Sequence, residues 1–289
     1  MSVTIVTGAS RGIGKAIAKR LATSTLLLVG TNKDKLSQVV DEIKAAGGTA
    51  EFFAGDVRDA EFARAVVARA MQLGKLTNVI LSAGISKGGG ADKFPDATLR
   101  DLFDVNFFGS VNFAKAALAS PELQNIMFLA GTAGTRGYSS MTGYCASKHA
   151  LVGYARALAQ EVSKRNIRVV PVCPGPTDTD MTAGIVKMLV GKGMSEKDAK
   201  AKIASGDNLE TLLSPDDVAD TIARIIDEDL LVINGEPVPV KPRPTVSADA
   251  LQRLKDYNAM IAASDARLRA AARTGHDEGC ECVACGQAG

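Results

Sequence analysis

Short apolar runs alternate along this chain with longer stretches of helical periodicity, and this alternation constrains the fold more than any other feature. The run at residues 26–29 (Leu-Leu-Leu-Val) is apolar throughout, as expected for a strand buried on both faces of a parallel sheet. Strands are predicted at residues 3–7, 25–30, 50–55, 77–82, 125–130, 167–172 and 230–240. Helices are predicted between them at residues 12–22, 33–46, 58–73, 97–119, 144–164 and 215–228. The pattern predicts an α/β fold with a doubly wound, mostly parallel seven-stranded sheet and helices on both faces.

Two segments do not follow this alternation. Residues 183–210 contain Gly, Lys and Met without a strand, a composition that predicts a mobile helical flap over a binding site. After the proline-rich stretch 241–244, residues 247–273 predict a charged helix with a thin apolar stripe, and the Gly- and Cys-rich end predicts partial disorder. We therefore assign residues 1–245 to a single α/β domain that includes the flap, and residues 246–289 to a C-terminal helical extension with a Cys-rich tail.

Charge balance and cysteine content exclude several classes of partner and location. The chain has 34 Lys and Arg against 32 Asp and Glu, and a net charge of +2 is too small to steer it to nucleic acid or anionic lipid. Its apolar runs are too short to cross a bilayer, and its first residues lack the basic region of a secretory signal. Five cysteines, three of them within the last ten residues, do not predict a disulfide framework. We expect a cytoplasmic protein with no nucleic-acid or membrane partner.

A glycine-rich loop follows the first predicted strand and opens the first predicted helix. Its glycines lie at positions 8, 12 and 14, a G-x-x-x-G-x-G spacing. Glycines let the backbone turn sharply and approach a pyrophosphate, whose charge is stabilised by the amides and dipole of the helix N-terminus. The alternative is a tight strand-to-helix turn that binds nothing. Because the flanking elements are those that a dinucleotide site requires, the loop predicts phosphate binding.

Further motifs follow this loop in order along the chain. They are Asp56-Val57, Ser82-Ala83-Gly84, Asn106, the Tyr-x-x-x-Lys pattern of Tyr144 and Lys148, and Pro174-Gly175-Pro176-Thr177-Asp178-Thr179. Together they resemble the short-chain dehydrogenase/reductase family, whose members are Rossmann-type NAD(P)-dependent oxidoreductases. The resemblance covers residues 1–182 and, more weakly, residues 212–240.

Tyr144 and Lys148 are four residues apart, so on a helix they share one face. A phenol with a pKa of about 10 is a poor base at neutral pH. A nearby ammonium and the positive nicotinamide of an oxidised cofactor favour the phenolate and lower that pKa. The tuned phenol can then protonate a carbonyl oxygen as hydride arrives at the carbon, or accept the proton in the oxidation. The alternative is a surface Tyr and Lys at chance spacing.

The resemblance also implies roles for individual residues. Lys148 would hold the nicotinamide ribose, and Asn106 would kink its helix and hold a water in the proton relay. Asp56 and Val57 would contact the adenine, and other residues would contact the riboses, phosphates and carboxamide. The full implied cofactor set is Gly8, Ser10, Arg11, Gly12, Ile13, Gly14, Thr31, Asn32, Asp56, Val57, Ala83, Gly84, Tyr144, Lys148, Pro174, Gly175, Thr177 and Thr179.

The second strand indicates which nicotinamide cofactor is preferred. NAD sites place an acid at the end of this strand to bind the adenosine ribose. Here the strand ends Gly-Thr-Asn-Lys at residues 30–33, without a carboxylate that would repel a 2′-phosphate. Arg11 in the glycine loop can reach the same corner and pair with a phosphate. We therefore expect NADP(H) rather than NAD(H); the alternative is that Arg11 and Lys33 are merely solvated.

One position departs from the family pattern. The family places a serine before its Ala-Gly pair to hydrogen-bond the substrate carbonyl, and Gly131 stands there in this chain. The adjacent Thr132 can supply a hydroxyl if the loop shifts by one residue, and Thr135, Ser139 and Ser140 are more distant candidates. Losing one such donor costs about 10²-fold in rate.

The Cys-rich tail offers four zinc-type ligands, at His276, Cys280, Cys282 and Cys285. The tail lacks paired CxxC knuckles and has little apolar sequence to pack around a metal, so we expect an oxidisable tail and no metal. Cys145 and Cys173 are expected to be buried small hydrophobes, and His149 is expected to pack or face solvent.

These observations predict an NADP(H)-dependent oxidoreductase that interconverts a carbonyl and a secondary alcohol. Its catalytic residues would be Tyr144, Lys148 and Asn106, with Thr132 as substitute for the serine. Family members pair helices 97–119 and 142–164 across two-fold axes, which implies a homodimer or homotetramer acting on a small-molecule substrate. The alternative is a dinucleotide-binding sensor or scaffold with little catalysis, which Gly131 favours and the Tyr144–Lys148 pair disfavours.

Overall fold

A computed structural model describes residues 1–242 of the chain. Seven strands lie within these residues: β1 (Ser2–Thr7), β2 (Thr25–Gly30), β3 (Thr49–Ala54), β4 (Lys75–Leu81), β5 (Asn125–Leu129), β6 (Arg168–Cys173) and β7 (Val238–Pro239). Nine α-helices lie within the same residues: α1 (Gly12–Arg20), α2 (Lys33–Ala45), α3 (Ala60–Leu73), α4 (Asp96–Leu102), α5 (Gly109–Ala117), α6 (Thr142–Glu161), α7 (Asp180–Val190), α8 (Glu196–Ser205) and α9 (Pro215–Ile226).

The seven strands form one parallel sheet in the order β3-β2-β1-β4-β5-β6-β7. The order reverses between β1 and β4, which are neighbours in the sheet although two strands separate them in the sequence. In such sheets the loops after the carboxyl ends of the strands diverge at this point and leave a crevice for a ligand. The doubly wound fold predicted from the sequence is therefore confirmed.

Two hydrophobic layers sandwich the sheet, because successive strand residues point to opposite faces. On one face, Ile5 and Phe128 pack in a cluster with buried residues of α3, α5 and α6. On the other face, Leu28 and Met127 pack in a second cluster with residues of α1, α2 and α9. The apolar strand runs are buried on both faces, as the sequence predicted.

A ladder of polar side chains crosses the sheet inside this apolar core. The Asn78 amide donates to Thr4 Oγ1 at 3.1 Å, and its Oδ1 accepts a 2.7 Å hydrogen bond from Asn125 Nδ2. The Ser24 hydroxyl contacts Thr4 at one end, and Arg168 Nε donates to Asn125 Oδ1 at the other. The ladder thus connects strands β1, β4, β5 and β6 through their side chains.

The last strand is much shorter than predicted. Residues 230–240 were expected to form one strand, but only Val238 and Pro239 pair with β6. The Asn234 side chain instead hydrogen-bonds the backbone at both Ile167 and Val169, and Gly235 turns the chain at φ +83°. This turn occupies the start of β6, so the preceding apolar residues cannot add to the sheet there.

The predicted helix at 97–119 is also interrupted. Residues Phe103–Phe108 form a π-helical segment between α4 and α5, in which the Gly109 amide donates to the Asp104 carbonyl five residues back. The segment 183–210, which we call the flap, contains most of α7 and all of α8, as its helical composition predicted. An isolated β-bridge between Thr177 and Leu213 pairs the two ends of this segment.

Several predictions fall outside the described residues. They concern the domain boundary at 245, the helix at 247–273 and the tail that contains His276, Cys280, Cys282 and Cys285. Within residues 1–242, no helix has the length and hydropathy needed to span a bilayer.

Candidate active site

The glycine loop lies at the carboxyl end of β1, against the loop that follows β4. Gly8 has φ +69°, and a Cβ atom there would lie 2.9 Å from the backbone of Ala83. The Ala83 amide also donates to Thr7 Oγ1 at 3.1 Å. Only glycine fits at position 8, because it combines left-handed backbone with close contact between two loops. The predicted phosphate loop and the predicted ribose loop are therefore adjacent, at the switch point of the sheet.

The N-terminus of α1 opens from this loop without an acidic residue in its first turn. The first turn of the helix therefore offers its amides to a phosphate group without an acidic side chain of its own. Arg11, expected at the ribose-phosphate corner, instead pairs with Asp180 of α7 at 2.9 Å. Thr179 contacts the loop as well, since a Cβ on Gly12 would lie 3.3 Å from its methyl group.

The corner at the end of β2 is formed by Gly30, Thr31 and Asn32. The side-chain oxygen of Asn32 accepts a 2.9 Å hydrogen bond from the Lys35 amide and so caps α2. Thr31 and Lys33 are exposed beside it. A hydroxyl from Thr31 and an ammonium group from Lys33 are therefore accessible to solvent here, beside the helix N-terminus that Asn32 caps.

The loop after β3 carries Asp56 and Val57. Both carboxylate oxygens of Asp56 are engaged by Arg58, which lowers the pKa of that carboxyl below its usual value through hydrogen bonding. Val57 is buried, and its carbonyl accepts a hydrogen bond from Asn112 of α5. Arg58 also contacts Asp101 of α4, so this loop is fixed to the α4–α5 region.

Asn106 is fully buried in the π-helical segment. Its Oδ1 accepts from the Ile85 amide at 2.8 Å, and its Nδ2 donates to the Ile85 carbonyl and to Ser147 Oγ, both at 3.0 Å. A Cβ on Gly84 would lie 3.1 Å from Asn106 Oδ1 and 3.5 Å from Lys148 Nζ. The widened helix therefore brings Asn106 against the loop after β4 and near the lysine of α6.

Tyr144 and Lys148 lie on one face of α6, with the ammonium nitrogen 5.9 Å from the centre of the phenol ring. Lys148 is 6% exposed, and its Nζ donates a 2.7 Å hydrogen bond to the Leu129 carbonyl at the end of β5. Burial lowers the pKa of Lys148 to about 8. The predicted pair is therefore assembled on a single helix, and its lysine lies next to Gly84.

The pKa of Tyr144 differs from the sequence expectation. Lys148 and the positive nicotinamide of an oxidised cofactor were together expected to lower it, whereas in the chain alone burial raises the pKa of Tyr144 to about 12. The physical reason is that the ammonium is directed at the Leu129 carbonyl while the half-buried phenol loses water. Its hydroxyl makes no hydrogen bond with a residue of 1–242. The phenol is therefore protonated at neutral pH and available as a donor.

The position of the missing serine has an unusual backbone. Gly131 has φ +69° and ψ 168°, a region of conformational space that essentially only glycine occupies. A Cβ atom would meet nothing closer than the Pro174 carbonyl at 3.6 Å. There is therefore space for a side chain at position 131, and it is the backbone conformation that favours glycine. Thr132, the expected substitute, directs its hydroxyl to Tyr138 Oη at 2.7 Å.

Sequence reasoning missed the cluster that Thr132 joins. Tyr138 Oη lies 2.7 Å from both carboxylate oxygens of Asp207, and it accepts a 2.9 Å hydrogen bond from Arg136 Nε. Arg136 also pairs with Asp207 directly. Burial is the first cause that raises the pKa of the Tyr138 phenol. Asp207 comes from the flap, 69 residues from Tyr138, and no motif signals that contact.

The loop after β6 completes this edge of the site. Pro174 accepts a hydrogen bond from the Thr132 amide, and Gly175 lies against Asp207, whose Cγ would be 3.6 Å from a Cβ there. Thr177 is buried and donates to the Gly175 carbonyl, while Thr179 Oγ1 donates to the Thr177 carbonyl. The threonine hydroxyls thus hydrogen-bond the backbone of residues 175–177, just before α7 begins.

Most of the predicted residues lie where strands β1, β4, β5 and β6 end, whereas Thr31 and Asn32 follow β2 and Asp56 and Val57 follow β3. Loops 8–14, 82–84, 131–132 and 174–179 contact one another in a chain, Lys148 and Asn106 lie against Gly84, and Tyr144 lies one turn from Lys148 on α6. His149 is exposed and contacts the Cys145 carbonyl, and both Cys145 and Cys173 are buried and free. Within the described residues no group of His, Cys, Asp and Glu side chains suits a metal ion.

Comparisons with known proteins agree with this geometry. A family model described as short chain dehydrogenase matches residues 2–189. The 2,3-dihydro-2,3-dihydroxybenzoate dehydrogenase of Bacillus subtilis is 30% identical over 230 residues, which span 78% of this chain and 88% of that protein. An actinorhodin polyketide ketoreductase structure with NADPH has a TM-score of 0.76 and 27% identity, over 83% of this chain and 95% of that chain.

A second solved structure leads to the same conclusion. A short chain dehydrogenase from Burkholderia cenocepacia in complex with NADP has a TM-score of 0.71 and 29% identity, and it covers 82% of this chain and 95% of that chain. Sheet order, glycine loop and the Tyr-x-x-x-Lys helix are thus found together with a family match over most of the described residues. The chain belongs to the short-chain dehydrogenase/reductase family of oxidoreductases that act on CH–OH groups.

Proposed function

We propose that this chain is an NADP(H)-dependent oxidoreductase that interconverts a carbonyl compound and a secondary alcohol. The observation that carries the proposal is the position of Tyr144 and Lys148. They lie one helical turn apart on α6, and the Lys148 ammonium lies against Gly84, in the loop that contacts the glycine loop at the switch point. A proton donor and a cation thus lie next to the place where a dinucleotide binds in this fold.

The residues around the glycine loop fit a phosphorylated dinucleotide. Gly8 lets the loop lie flat against Ala83, and the N-terminus of α1 directs free amides into the crevice. Residues 30–33 present no carboxylate to a 2′-phosphate, and Lys33 supplies positive charge there. The NADPH and NADP bound in the two solved relatives support the same preference. When bound, the cofactor supplies or accepts the hydride.

In the proposed reduction, Tyr144 donates its proton to the substrate oxygen, and the high pKa keeps that proton on the phenol until the oxygen becomes basic. In the oxidation, Tyr144 takes the proton back, which requires the Lys148 ammonium to stabilise the phenolate. Lys148 is oriented by the Leu129 carbonyl and would hold the nicotinamide ribose. Asn106 would fix the loop after β4 and support the proton relay.

Further parts of the proposal rest on the sequence. We infer that the substrate is a small molecule and that the chain forms a homodimer or homotetramer through the faces around α4–α5 and α6. The cytoplasmic location stays a prediction. The relatives are named as oxidoreductases, and no contact within residues 1–242 favours the alternative of a sensor or scaffold.

Substitution of Tyr144 by Phe tests the proposal. NADPH oxidation with ketones, quinones and acyl thioesters is measured for the parent, Tyr144→Phe and Tyr154→Phe, a control in the same helix whose ring packs on Phe128. Tyr144→Phe is expected to lower kcat by about 10²–10⁴-fold, and Tyr154→Phe is expected to change kcat little. NADPH should raise the melting temperature of all three proteins. Equal activity of the two variants, or a parent that consumes NADPH with no carbonyl, would contradict the proposal.

A further inference from the structure

A carboxylate on the flap is buried among donors from the loop that follows β5. The Asp207 side chain is 4% exposed and lies just beyond α8. Tyr138 Oη is 2.7 Å from each of its oxygens, Arg136 pairs with one of them, and Thr132 Oγ1 is 2.7 Å from Tyr138 Oη. We call these three donors, Thr132, Arg136 and Tyr138, the donor triplet.

Two members of the donor triplet, Tyr138 and Arg136, donate directly to Asp207, and Thr132 donates to Tyr138. A carboxylate can only accept, so the Tyr138 hydroxyl donates to Asp207. Because that proton is committed, the short contact between Thr132 and Tyr138 requires the Thr132 hydroxyl to donate to the phenol oxygen. Arg136 Nε donates to the same oxygen at 2.9 Å. The triplet is therefore oriented to bind one carboxylate, and Asp207 supplies it.

This carboxylate lies within the candidate active site. Thr132 directly follows Gly131, the position where the family places the residue that holds the substrate carbonyl. A Cβ on Gly175 would lie 3.6 Å from Asp207 Cγ, so the carboxylate also contacts the loop after β6. Tyr138 lies four residues before the start of α6, whose first turn carries Tyr144. The carboxylate thus lies among the loops that surround the proposed proton donor.

We propose that the donor triplet is a carboxylate subsite that Asp207 fills when the flap is docked, and that an oxo acid takes over this subsite as substrate. The inference rests on the proposed function and names its substrate class. A guanidinium with adjacent hydroxyl donors is the combination that recognises carboxylates, and the flap is a separate segment whose movement can withdraw Asp207. Neutral ketones lack the group that competes for the triplet.

Matched acids and esters test this proposal. NADPH-dependent reduction of acetoacetate and levulinate is compared with that of their methyl esters, for the parent, Arg136→Met, Tyr138→Phe and Asp207→Asn. Arg69→Met is the control, because Arg69 is similarly exposed and holds Glu51 on the distant β3. The parent should favour each acid over its ester in kcat/KM. Arg136→Met should raise KM for the acids about 10-fold or more and change KM for the esters less than twofold.

The other variants distinguish two explanations of the Asp207 contact. Either a substrate carboxylate competes with Asp207 for the donor triplet, or the contact only holds the flap in place. Asp207→Asn should lower KM for the acids, because a neutral amide competes less well than a carboxylate for Arg136. Tyr138→Phe should raise KM for the acids even if Arg136→Met fails to fold. Equal use of acids and esters by the parent, or equal effects of the variants on both, overturns this inference and leaves the proposed function intact. A parent that reduces no carbonyl compound at all overturns both.

Discussion

Arg11 in the glycine loop and Asp180 at the start of α7 form an ion pair, with 2.9 Å between Nη1 and Oδ2. Both side chains are 62% exposed, so the pair contributes about 0–1 kcal/mol and is easily exchanged. It joins the loop that would bind phosphate to the first turn of α7. A phosphate bound by Arg11 would release Asp180 from this ion pair.

This ion pair predicts opposite effects of two substitutions on cofactor affinity. Arg11→Gln should weaken NADPH binding about 10-fold, since a charge-assisted contact to phosphate is lost. Asp180→Asn should strengthen NADPH binding severalfold, because Arg11 no longer has a competing carboxylate. Isothermal titration with NADPH and NADH measures both effects. Equal changes for the two cofactors would contradict a contact between Arg11 and the 2′-phosphate.

Burial of Lys148 predicts that the stability of the cofactor-free protein depends on pH above neutrality. Its pKa falls from 10.5 to about 8 on folding, so between these values the unfolded chain binds more protons than the folded one. The free energy of unfolding therefore rises with pH in this window, by about 2 kcal/mol from pH 8 to pH 10. Below pH 8 both states are protonated and the full cost of the buried charge applies.

Denaturant unfolding of the parent and of Lys148→Met at pH 8, 9 and 10 measures this dependence. The variant lacks the titrating group, so the difference in unfolding free energy between the two proteins isolates Lys148. The window lies below the pKa of about 12 for Tyr144, whose own contribution decreases only as pH rises past 10. A difference that stays constant across the window would show that Lys148 is not desolvated as described.

The backbone at Gly131 predicts that restoring the family's serine lowers stability. Gly131→Ser places a side chain at φ +69° and ψ 168°, which costs about 1–3 kcal/mol. Gly137→Ser in the same loop is the matched control, because a Cβ there meets nothing within 4 Å and no strained backbone is involved. Thermal unfolding of both variants tests the prediction. A Gly131→Ser protein as stable as the control would mean that the loop adjusts freely.

The polar ladder across the sheet predicts that a substitution far from the candidate site lowers the free energy of unfolding strongly. Asn78→Ala leaves the buried Asn125 amide without its acceptor and opens a small cavity, and the expected cost is about 2–4 kcal/mol. Ser24→Ala removes only the partly exposed end of the ladder and should cost less than about 1 kcal/mol. Urea unfolding compares the two. If they lose the same stability, the central amides contribute little.

Sequence periodicity predicted the sheet well because most strands are buried on both faces. The strand at Thr25–Gly30 matches its prediction residue for residue, since nothing in that apolar run competes with pairing. The run before Val238 was apolar too, yet Asn234 and Gly235 turn the chain there through contacts with β6 that periodicity does not register. The helical period likewise gave no sign of the π-helical segment around Asn106.

The parts of the candidate site that the sequence predicted are those whose functional residues lie in short local motifs. Tyr144 and Lys148 lie on the helix that orients them, and the glycine loop lies between β1 and α1. Their spacing in the sequence was therefore enough to predict their place in the fold. Arg11 pairs with Asp180 of α7, and Tyr138, the partner of Thr132, pairs with Asp207 of the flap. Such long-range contacts between polar residues leave no periodic signature. Burial of the phenol raises the pKa of Tyr144 in the chain alone, and the spacing of Tyr144 and Lys148 in the sequence does not reveal this burial.

The bridge between Thr177 and Leu213 has a consequence for how this fold can diversify. The segment between them starts and finishes at two residues that are paired with each other. A segment of any length can therefore connect these two positions. Closing a longer loop costs only about 0.6 kcal/mol for each doubling of its length. The length of the segment between Thr177 and Leu213 can therefore change without disturbing the pairing of the strands in the sheet.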